Sequence, residues 1–297
     1  MVGAFIMGTK SFKNRLQQWW HSSFLFCDYS RLWRLFMYYG ASGVKYLLPW
    51  RFYLDYVEIP ITTRCNLRCP DCANLMPLYN KPYDVDSDTV IHSIRKLSEC
   101  FDACGQMRIL GGEPFLHPDL KRFVAELPSH KCRKISIPTN ATIIPQDPEL
   151  YEVLRQKNVV IVMGNYPSAA KTQQELIARL ELEGIKYEVP QPGTWINYGE
   201  VENHNHTLKE RTRQFASCNL RSKSLLNGVM YYCPRHGHGC DLGLVDKIEG
   251  EFVDVLNNTA TQNRRQLQRL MWRHKPVEAC KYCLRGTDEA TRISRGK

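Results

Sequence analysis

The sequence predicts an α/β fold built as an open or partial (β/α) barrel. Between residue 56 and about residue 190, short apolar segments of strand type alternate with longer segments of helical periodicity. This alternation indicates parallel strands joined by right-handed crossovers. Five strands can be recognised, which is too few for a closed barrel. In sheets of this kind the chemistry lies at the carboxyl ends of the strands.

The predicted elements follow one another in a regular order. Strands are expected at 56–62, 107–110, 133–139, 158–164 and 185–190. Helices are expected between them at 86–104, 118–127, 148–156 and 171–184. The first strand therefore delivers the stretch RCNLRCPDC to the functional edge of the sheet, and the second strand delivers GGEP.

The segments on either side of the barrel differ from it in composition. Residues 1–52 are rich in aromatic and basic residues, with helical periodicity over 12–38. This helical arm packs against the domain or lies on an anionic membrane surface as a peripheral contact. We expect the barrel to occupy 53–200, and a smaller module rich in Cys, Gly and His to occupy 201–297.

Composition narrows the class of protein. The chain has 297 residues, of which 43% are hydrophobic and 24% charged, as in ordinary globular proteins. It has no apolar run long enough to span a membrane, and its apolar start is too short for a signal peptide. We therefore expect a cytoplasmic protein whose twelve cysteines are metal ligands and buried thiols. The net charge of +10 is concentrated at the two chain ends without a nucleic-acid motif, so no nucleic-acid partner is expected.

Three cysteines lie close together in RCNLRCPDC. Cys65, Cys69 and Cys72 have the spacing C-x3-C-x2-C. Three thiolates on one loop can hold three corners of a cubane iron–sulfur cluster and leave its fourth iron open. The alternative is a zinc site completed by a distant fourth ligand.

This stretch, followed by LGGEP at 110–114, resembles the radical S-adenosylmethionine (SAM) superfamily. The residues that match its two motifs are Cys65, Cys69, Cys72, Gly111, Gly112, Glu113 and Pro114. The resemblance implies a TIM-like partial (β/α)6 barrel and a [4Fe–4S] cluster whose open iron binds SAM. It also implies an external one-electron reductant of flavodoxin or ferredoxin type, and cleavage of SAM to a 5′-deoxyadenosyl radical that abstracts hydrogen from a substrate.

The resemblance further implies which residues contact SAM. It assigns backbone contacts to GGEP, whose glycines permit a close approach because they have no Cβ. It assigns further contacts to polar residues after the third and fourth strands, each of which could instead be a strand-end cap: Ser136, Thr139, Asn140 and Asn165. One position departs from the family, because Asp71 stands where many members carry an aromatic residue beside adenine.

Four more cysteines lie in the C-terminal part of the chain. Cys218 and Cys233 flank an Asn-Gly pair at 227–228 that predicts a two-residue hairpin turn, and Cys280 and Cys283 form a CxxC pair. Four thiolates make a closed site that suits zinc or iron–sulfur. The spacing resembles the twitch domain of radical SAM enzymes, a shortened relative of the SPASM domain, which implies an auxiliary [4Fe–4S] cluster bound by all four.

The stretch CPRHGHGC contains Cys240 and two histidines. Cys240 is a candidate hydrogen-atom donor to a substrate radical, although it could be a bystander or an alternative ligand. His236 and His238 could bind substrate or act as bases, and the alternative is a solvated glycine-rich loop. The other four cysteines are expected to be buried, inert thiols: Cys27, Cys100, Cys104 and Cys132.

The expected reaction follows from the two cysteine groups. With an auxiliary cluster near the substrate, a carbinol radical can lose an electron and become a ketone when a base takes the hydroxyl proton. If a thiol instead returns hydrogen to the opposite face, the result is epimerisation. Enzymes of similar layout include oxidoreductases of aminocyclitols and sugars, so the resemblance implies a nucleotide- or lipid-linked sugar, which Trp195 and Tyr198 would suit as a sugar-facing pair.

Two other functions stay open at this point. A ribosomal-peptide maturase would need a peptide-recognition module, for which residues 1–52 look too short. A non-catalytic iron–sulfur or zinc redox protein would need only closed metal sites and would give no reason for GGEP.

Overall fold

The structure is a computed structural model that describes residues 51–156, 158–190, 195–218, 222–290 and 292–293. Its strands form a mostly parallel sheet. The predicted N-terminal arm, its helix over 12–38 and Cys27 lie outside the described residues. None of the described helices has the length and apolar character needed to cross a membrane.

Ten strands and seven helices are named here in chain order from the described residues. The strands are β1 (Tyr53–Thr62), β2 (Ala103–Gly111), β3 (Cys132–Thr139), β4 (Val159–Met163), β5 (Tyr187–Glu188), β6 (Trp195–Ile196), β7 (Lys223–Leu226), β8 (Val229–Tyr231), β9 (Phe252–Asp254) and β10 (Arg292–Ile293). The helices are α1 (Ser87–Ser98), α2 (Leu120–Glu126), α3 (Pro148–Leu154), α4 (Ala170–Leu182), α5 (Leu208–Ser217), α6 (Pro234–Asp241) and α7 (Ala260–Met271).

The five predicted strands are confirmed as β1 to β5. They lie side by side in chain order, every neighbouring pair is parallel, and α1 to α4 provide the crossovers between them. The strands read as near-continuous apolar runs because helices cover one face and the barrel interior lies on the other. Leu54, Ile59, Ile109, Ile135 and Ile161 are among the side chains that are almost completely buried.

The sheet continues beyond β1 into the C-terminal part of the chain. Its order is β5-β4-β3-β2-β1-β7-β8-β9, with β7 parallel to β1 and then an antiparallel hairpin. The predicted hairpin turn is confirmed, since Asn227 and Gly228 have φ values of 50° and 79°. Residues Phe52–Lys297 accordingly form one compact unit.

The expected six-stranded (β/α)6 order is not what the described residues form. In them β6, which follows β5 in the chain, pairs antiparallel with β10 in a separate two-stranded sheet. The sixth parallel strand is β7 at the opposite edge of the five-stranded run. The physical reason is strand pairing at the free edge of β1, where Val57 pairs with Lys223 and Glu58 pairs with Ser224.

The helix predicted over 86–104 was too long, and the strand predicted over 107–110 was too short. The helix α1 ends at Ser98, and β2 already begins at Ala103. Pairing overrides the helical spacing of the cysteines: Cys104 pairs with Leu54 on β1 and with Cys132 on β3. Cys100, Cys104 and Cys132 are buried thiols, as expected.

The stretch around the two histidines is a buried helix, so the expected solvated loop was wrong. It forms α6, in which the side chains of His236 and His238 are fully buried. Small residues allow this packing, because a Cβ on Gly237 would lie 3.2 Å from the Tyr231 ring and one on Gly239 would lie 2.6 Å from Val245. Pro234 at the first turn favours helix initiation.

Candidate functional site

A cavity of about 410 Å³ opens where the carboxyl ends of β1 to β4 meet. Eight residues predicted from the sequence line it together: Cys65, Cys69, Cys72, Gly111, Gly112, Thr139, Asn140 and Tyr198. Other predicted residues do not line it: Glu113, Pro114, Ser136, Asn165 and Cys240. The parallel order of the strands therefore brings the two sequence motifs to one edge of the sheet, as expected for this kind of fold.

The cysteine triad, Cys65, Cys69 and Cys72, lies on the loop after β1. Tight turns shape this loop, since the Cys72 amide donates to the Cys69 carbonyl at 3.2 Å and the Leu75 amide donates to the Cys72 carbonyl at 2.9 Å. Burial raises the pKa of the Cys65 thiol to about 11, with the Glu113 carboxyl and the other two thiols adding to the effect. Burial also raises the pKa of Cys69 and of Cys72. Three thiols that face one cavity suit a bound metal cluster, because thiols lose their protons when they bind metal and the positive metal stabilises the thiolates.

The two glycines of GGEP allow β2 to approach the cysteine loop. A Cβ on Gly111 would lie 2.1 Å from the Thr62 carbonyl oxygen. A Cβ on Gly112 would lie 2.1 Å from the Arg64 carbonyl oxygen and 2.7 Å from the Cys65 Cβ. The close approach is fixed by the amides of Gly112 and Glu113, which donate to the Thr62 and Arg64 carbonyls at 2.9 and 2.8 Å. The strand-end motif thus positions the first cysteine of the triad.

Gly112→Ala is expected to reduce the iron that the chain retains after anaerobic reconstitution, because the new methyl group displaces Arg64 and Cys65. Overpacking of this kind costs about 1–3 kcal/mol of folding free energy. Gly105→Ala is the matched control, since its Cβ would lie 2.5 Å from the Asp55 carbonyl oxygen, but near the amino end of β2. Iron per folded chain and the thermal midpoint are measured for both. Equal iron retention in the two variants would contradict a positioning role for Gly112.

Glu113 is buried and links the ends of β2 and β3 through hydrogen bonds. One carboxylate oxygen accepts hydrogen bonds from the Thr139 hydroxyl at 2.9 Å and the Phe115 amide at 3.2 Å, and the other accepts from the Asn140 amide at 2.7 Å. Burial raises the pKa of Glu113 to about 7, while these hydrogen bonds oppose the rise. The carboxyl group joins the end of β2 to the end of β3 behind the cavity wall.

The loop after β3 contacts the cysteine triad directly. The side-chain amide of Asn140 donates to the Asn66 side chain at 2.8 Å and approaches the Cys65 sulfur at 3.9 Å. Ser136 is fully buried one layer below and accepts hydrogen bonds from Gln106 and Arg108 at 2.7 and 3.2 Å. Asn140 thus lies at the cavity surface, and Ser136 belongs to the interior of the partial barrel.

Tyr166 is a cavity residue that sequence reasoning missed. It follows β4, lines the cavity, and its hydroxyl is hydrogen-bonded to the Cys69 thiol. Burial, then the nearby Cys69, Cys72 and Cys65, raise the pKa of the Tyr166 hydroxyl. An aromatic residue two positions after the strand end was the available signal. Asp71, by contrast, does not line the cavity.

The second cysteine group, Cys218, Cys233, Cys280 and Cys283, is assembled from α5, the hairpin and the C-terminal turn. The four thiols are close enough to perturb one another electrostatically. Burial raises the pKa of Cys233 to about 12 and also raises the pKa values of Cys280 and Cys283. The structure thus brings together all four cysteines that the spacing singled out.

Tyr198 and Arg235 connect the second cysteine group to the cavity. Both line the cavity, and both interact electrostatically with Cys233 and Cys283. Arg235 is 4% exposed and donates to the Tyr282 and Gly199 carbonyls at 3.0 and 2.5 Å. Tyr198 receives a hydrogen bond of 2.8 Å from Arg285. The two cysteine groups are therefore neighbours of one shared cavity.

Within the described residues, no three His, Cys, Asp or Glu side chains surround a point where a single metal ion would bind. The ligands of a cubane cluster bind different iron atoms, so they do not need to converge on one point. The chemistry of the donor sets, three and four thiols without other ligands, fits iron–sulfur clusters.

Cys240 and the two histidines lie away from the cavity lining. The Cys240 thiol is 3.8 Å from the Asp246 carbonyl oxygen and packs with Val245 and Val277. The His238 Nδ1 is 2.9 Å from the Tyr79 hydroxyl, and burial lowers the pKa of His236 and of His238 to about 4. Both imidazoles are therefore neutral at pH 7. This placement gives no support to a hydrogen-donor role for Cys240.

Comparisons with known proteins match parts of this chain. Residues 59–179 match the family model of the Radical SAM superfamily. The chain is similar to the GTP 3′,8-cyclase of Campylobacter lari, with 29% identity over 140 residues that make up 44% of this chain and 42% of the relative. It is also similar to the GTP 3′,8-cyclase of Lactiplantibacillus plantarum, with 38% identity over 95 residues, 30% of this chain and 27% of the relative. The alignments thus span less than half the length of these relatives.

A solved structure of similar extent is BtrN in complex with AdoMet and 2-DOIA. It aligns with a TM-score of 0.45 and 17% sequence identity over 81% of this chain and 98% of the BtrN chain.

Proposed function

We propose that this chain, which carries a radical SAM domain over residues 59–179, is an enzyme that abstracts hydrogen from a carbinol carbon of a sugar-type substrate and oxidises that carbon. The observation that carries the proposal is the shared cavity. The cysteine triad lines it, and Tyr198 and Arg235 connect it to the second cysteine group. A radical could form near the triad and lose its electron toward the second group.

The cysteine triad is proposed to hold a [4Fe–4S] cluster with an open iron for SAM. When bound, this cluster supplies the electron that cleaves SAM to a 5′-deoxyadenosyl radical. Gly111 and Gly112 offer backbone groups at the rim of the cavity, and Thr139 and Asn140 offer polar side chains there. The proposed roles of four other residues do not rest on a position in the cavity lining: Glu113, Pro114, Ser136 and Asn165. The first three lie behind the cavity wall, and a SAM contact from Asn165 stays a proposal.

Tyr166 is proposed to take the place of the missing aromatic residue at position 71. Its ring lies in the cavity beside Cys69, so it can cover one face of an adenine bound near the triad. Its hydrogen bond to Cys69 restrains the ring, which reduces the entropy lost when a ligand packs against it.

The second cysteine group is proposed to hold an auxiliary [4Fe–4S] cluster in a twitch-like module. All four thiols are used as ligands, so this cluster has no site for SAM and is suited to electron transfer. Among the described cavity residues, the triad supplies the only thiols. That composition favours dehydrogenation over epimerisation by a thiol such as Cys240.

The proposed partners follow from the reaction. SAM cleavage needs an external one-electron reductant, for which a flavodoxin or ferredoxin is the chemical class. The substrate is a small molecule of carbohydrate type, linked to a nucleotide or a lipid. A cytoplasmic location and membrane contact through residues 12–38 are predictions from the sequence.

A second candidate function is GTP cyclisation, because the curated relatives described above are named GTP 3′,8-cyclases. Their alignments cover 44% and 30% of this chain. GTP therefore belongs in the substrate test beside the sugar nucleotides. Peptide modification stays a third alternative.

The proposed function is tested with the full chain after anaerobic reconstitution with iron and sulfide. Dithionite-reduced protein is incubated with SAM and, separately, UDP-glucose, UDP-N-acetylglucosamine, GDP-mannose or GTP. We expect one sugar nucleotide to stimulate formation of 5′-deoxyadenosine and to lose two hydrogen atoms, as measured by mass spectrometry. A cyclised product from GTP would replace the sugar proposal with the second candidate. If no compound stimulates SAM cleavage, the proposed substrate class is wrong.

A further inference from the structure

Glu58 and Arg108 form a charged layer inside the partial barrel. They stand directly opposite each other in the pairing of β1 with β2, and Arg108 stands opposite Ser136 on β3. Both charged residues line the cavity that the cysteine triad shares. Their side chains thus reach the cavity from the strands themselves, below the SAM-side motifs at the strand ends.

Glu58 is the only carboxyl group among the described residues that line the cavity. The lining also contains no histidine or lysine in this described set. Its other ionisable groups are the triad thiols, two tyrosines and two arginines. Arginine stays protonated and a tyrosine hydroxyl keeps its proton near neutral pH, so these groups are not proton acceptors there.

The surroundings of Glu58 suit a proton acceptor. The side chain is 7% exposed, and its carboxylate accepts a hydrogen bond of 3.1 Å from the Tyr56 hydroxyl and another from Ser222. Burial raises the pKa of Glu58 to about 7, while Arg108 opposes the rise. On the neighbouring strand β7, the Lys223 ammonium lies 4.0 Å from the centre of the Tyr232 ring.

Glu58 and Arg108 stand opposite each other on neighbouring strands, and the charge of Arg108 lowers the pKa of Glu58. Their hydrogen-bond partners are separate, since Glu58 accepts from Tyr56 and the Arg108 guanidinium donates to Ser136 at 3.2 Å and lies 5.3 Å from the centre of the Tyr56 ring. A substrate hydroxyl placed between them could donate to the carboxylate, and its oxygen could accept from the guanidinium.

We infer that Glu58 is the catalytic base that takes the hydroxyl proton of the substrate, and that Arg108 binds the same oxygen. This inference rests on the proposed function. Once the hydrogen atom of the carbinol carbon has been removed by the SAM-derived radical, Glu58 would take the proton from the oxygen. The second cysteine group would hold the oxidised [4Fe–4S] cluster that accepts the remaining electron, and the carbon–oxygen bond would become a carbonyl. Two hydrogens leave the substrate, one as an atom and one as a proton, which balances the oxidation.

The test compares wild type with Glu58→Gln in the reconstituted full chain. Glutamine keeps the size of the side chain but cannot accept the proton. SAM cleavage without substrate reports on folding and on the triad, and it is expected to stay within about threefold of wild type, since Glu58 takes no part in that step. The two probes for the substrate reaction are UDP-glucose and UDP-N-acetylglucosamine, each deuterated at its carbinol carbons.

The expected result is separation of two events. Deuterium still appears in 5′-deoxyadenosine from the variant, whereas ketone formation falls by about 100-fold, the usual contribution of a positioned base. Wild-type ketone formation rises with pH through about 7, because the acceptor must be deprotonated, and this rise is absent in the variant. Arg108→Gln weakens substrate binding and moves the rise to higher pH, because the guanidinium that lowers the pKa of Glu58 is gone.

The contradicting results are distinct. Ketone formation at the wild-type rate in Glu58→Gln, or an unchanged pH profile, overturns the assignment of Glu58 while leaving the proposed function intact. Absence of deuterium transfer from both probes in wild type overturns the sugar part of the proposed function, and the inference with it.

Discussion

Replacing the cysteine triad by alanine, in the variant Cys65→Ala, Cys69→Ala, Cys72→Ala, is expected to abolish formation of 5′-deoxyadenosine from SAM. The three thiols line the cavity at the carboxyl ends of the strands, and the described lining offers no other thiol as a ligand for iron. The second cysteine group keeps its four thiols, so we expect the iron content to fall by about half rather than to zero. Iron and sulfide analysis, together with chromatography of the SAM products, measures both effects.

The control for this variant is Cys132→Ala. Cys132 is a buried thiol on β3 that pairs with Cys104 in the core and does not line the cavity. It is expected to lower the thermal midpoint but to keep iron content and SAM cleavage. SAM cleavage by the triad variant at the wild-type level would show that the reaction does not depend on these cysteines.

Removing half of the second cysteine group, by Cys280→Ala with Cys283→Ala, is expected to separate SAM cleavage from substrate oxidation. The triad lies on another loop and retains its iron, so 5′-deoxyadenosine still forms. Oxidised product is lost, because the electron that leaves the substrate radical no longer has its acceptor beside Tyr198 and Arg235. The iron content again falls by about half, since two thiols are too few for a stable cubane.

Cys240→Ala is the matched control for the second group. Its thiol lies on α6, near Cys280 in the same apolar cluster, but outside the cavity lining. We expect unchanged iron content and unchanged product. Loss of all SAM cleavage in the variant without Cys280 and Cys283 would contradict two independent cysteine groups, and product loss in Cys240→Ala would return that thiol to the mechanism.

The parts of the fold that could be predicted from sequence are those governed by local signals. The strands β1 to β5 are apolar runs separated by amphipathic helices, and they occur in the predicted order. The Asn227–Gly228 turn follows from its two left-handed backbone conformations. The cysteine triad and GGEP meet because parallel strands end at one edge.

The parts that could not be predicted depend on contacts between distant segments. The start of β2 has helical apolar spacing, and only its pairing with β1 makes Ala103 a strand residue. The histidines of α6 are buried by packing against β8 and a distant loop, which a glycine-rich sequence does not indicate.

The missing site residues have a different explanation. Glu58 and Arg108 each stand within an apolar strand, where a single charge is usually a solvated edge position. They become cavity residues because the pairing of β1 with β2 sets them opposite each other at the cavity wall, which depends on contacts between distant segments. Tyr166 could not be predicted because the polar strand-end pattern indicates its neighbour Asn165.

The most direct test of the central claim is SAM cleavage by the wild-type chain itself. The full chain is reconstituted anaerobically, reduced with dithionite and incubated with SAM, and 5′-deoxyadenosine is measured by chromatography and mass spectrometry. We expect 5′-deoxyadenosine in an amount that depends on dithionite and on the cysteine triad. No 5′-deoxyadenosine from protein whose iron and sulfide show both clusters in place would contradict it.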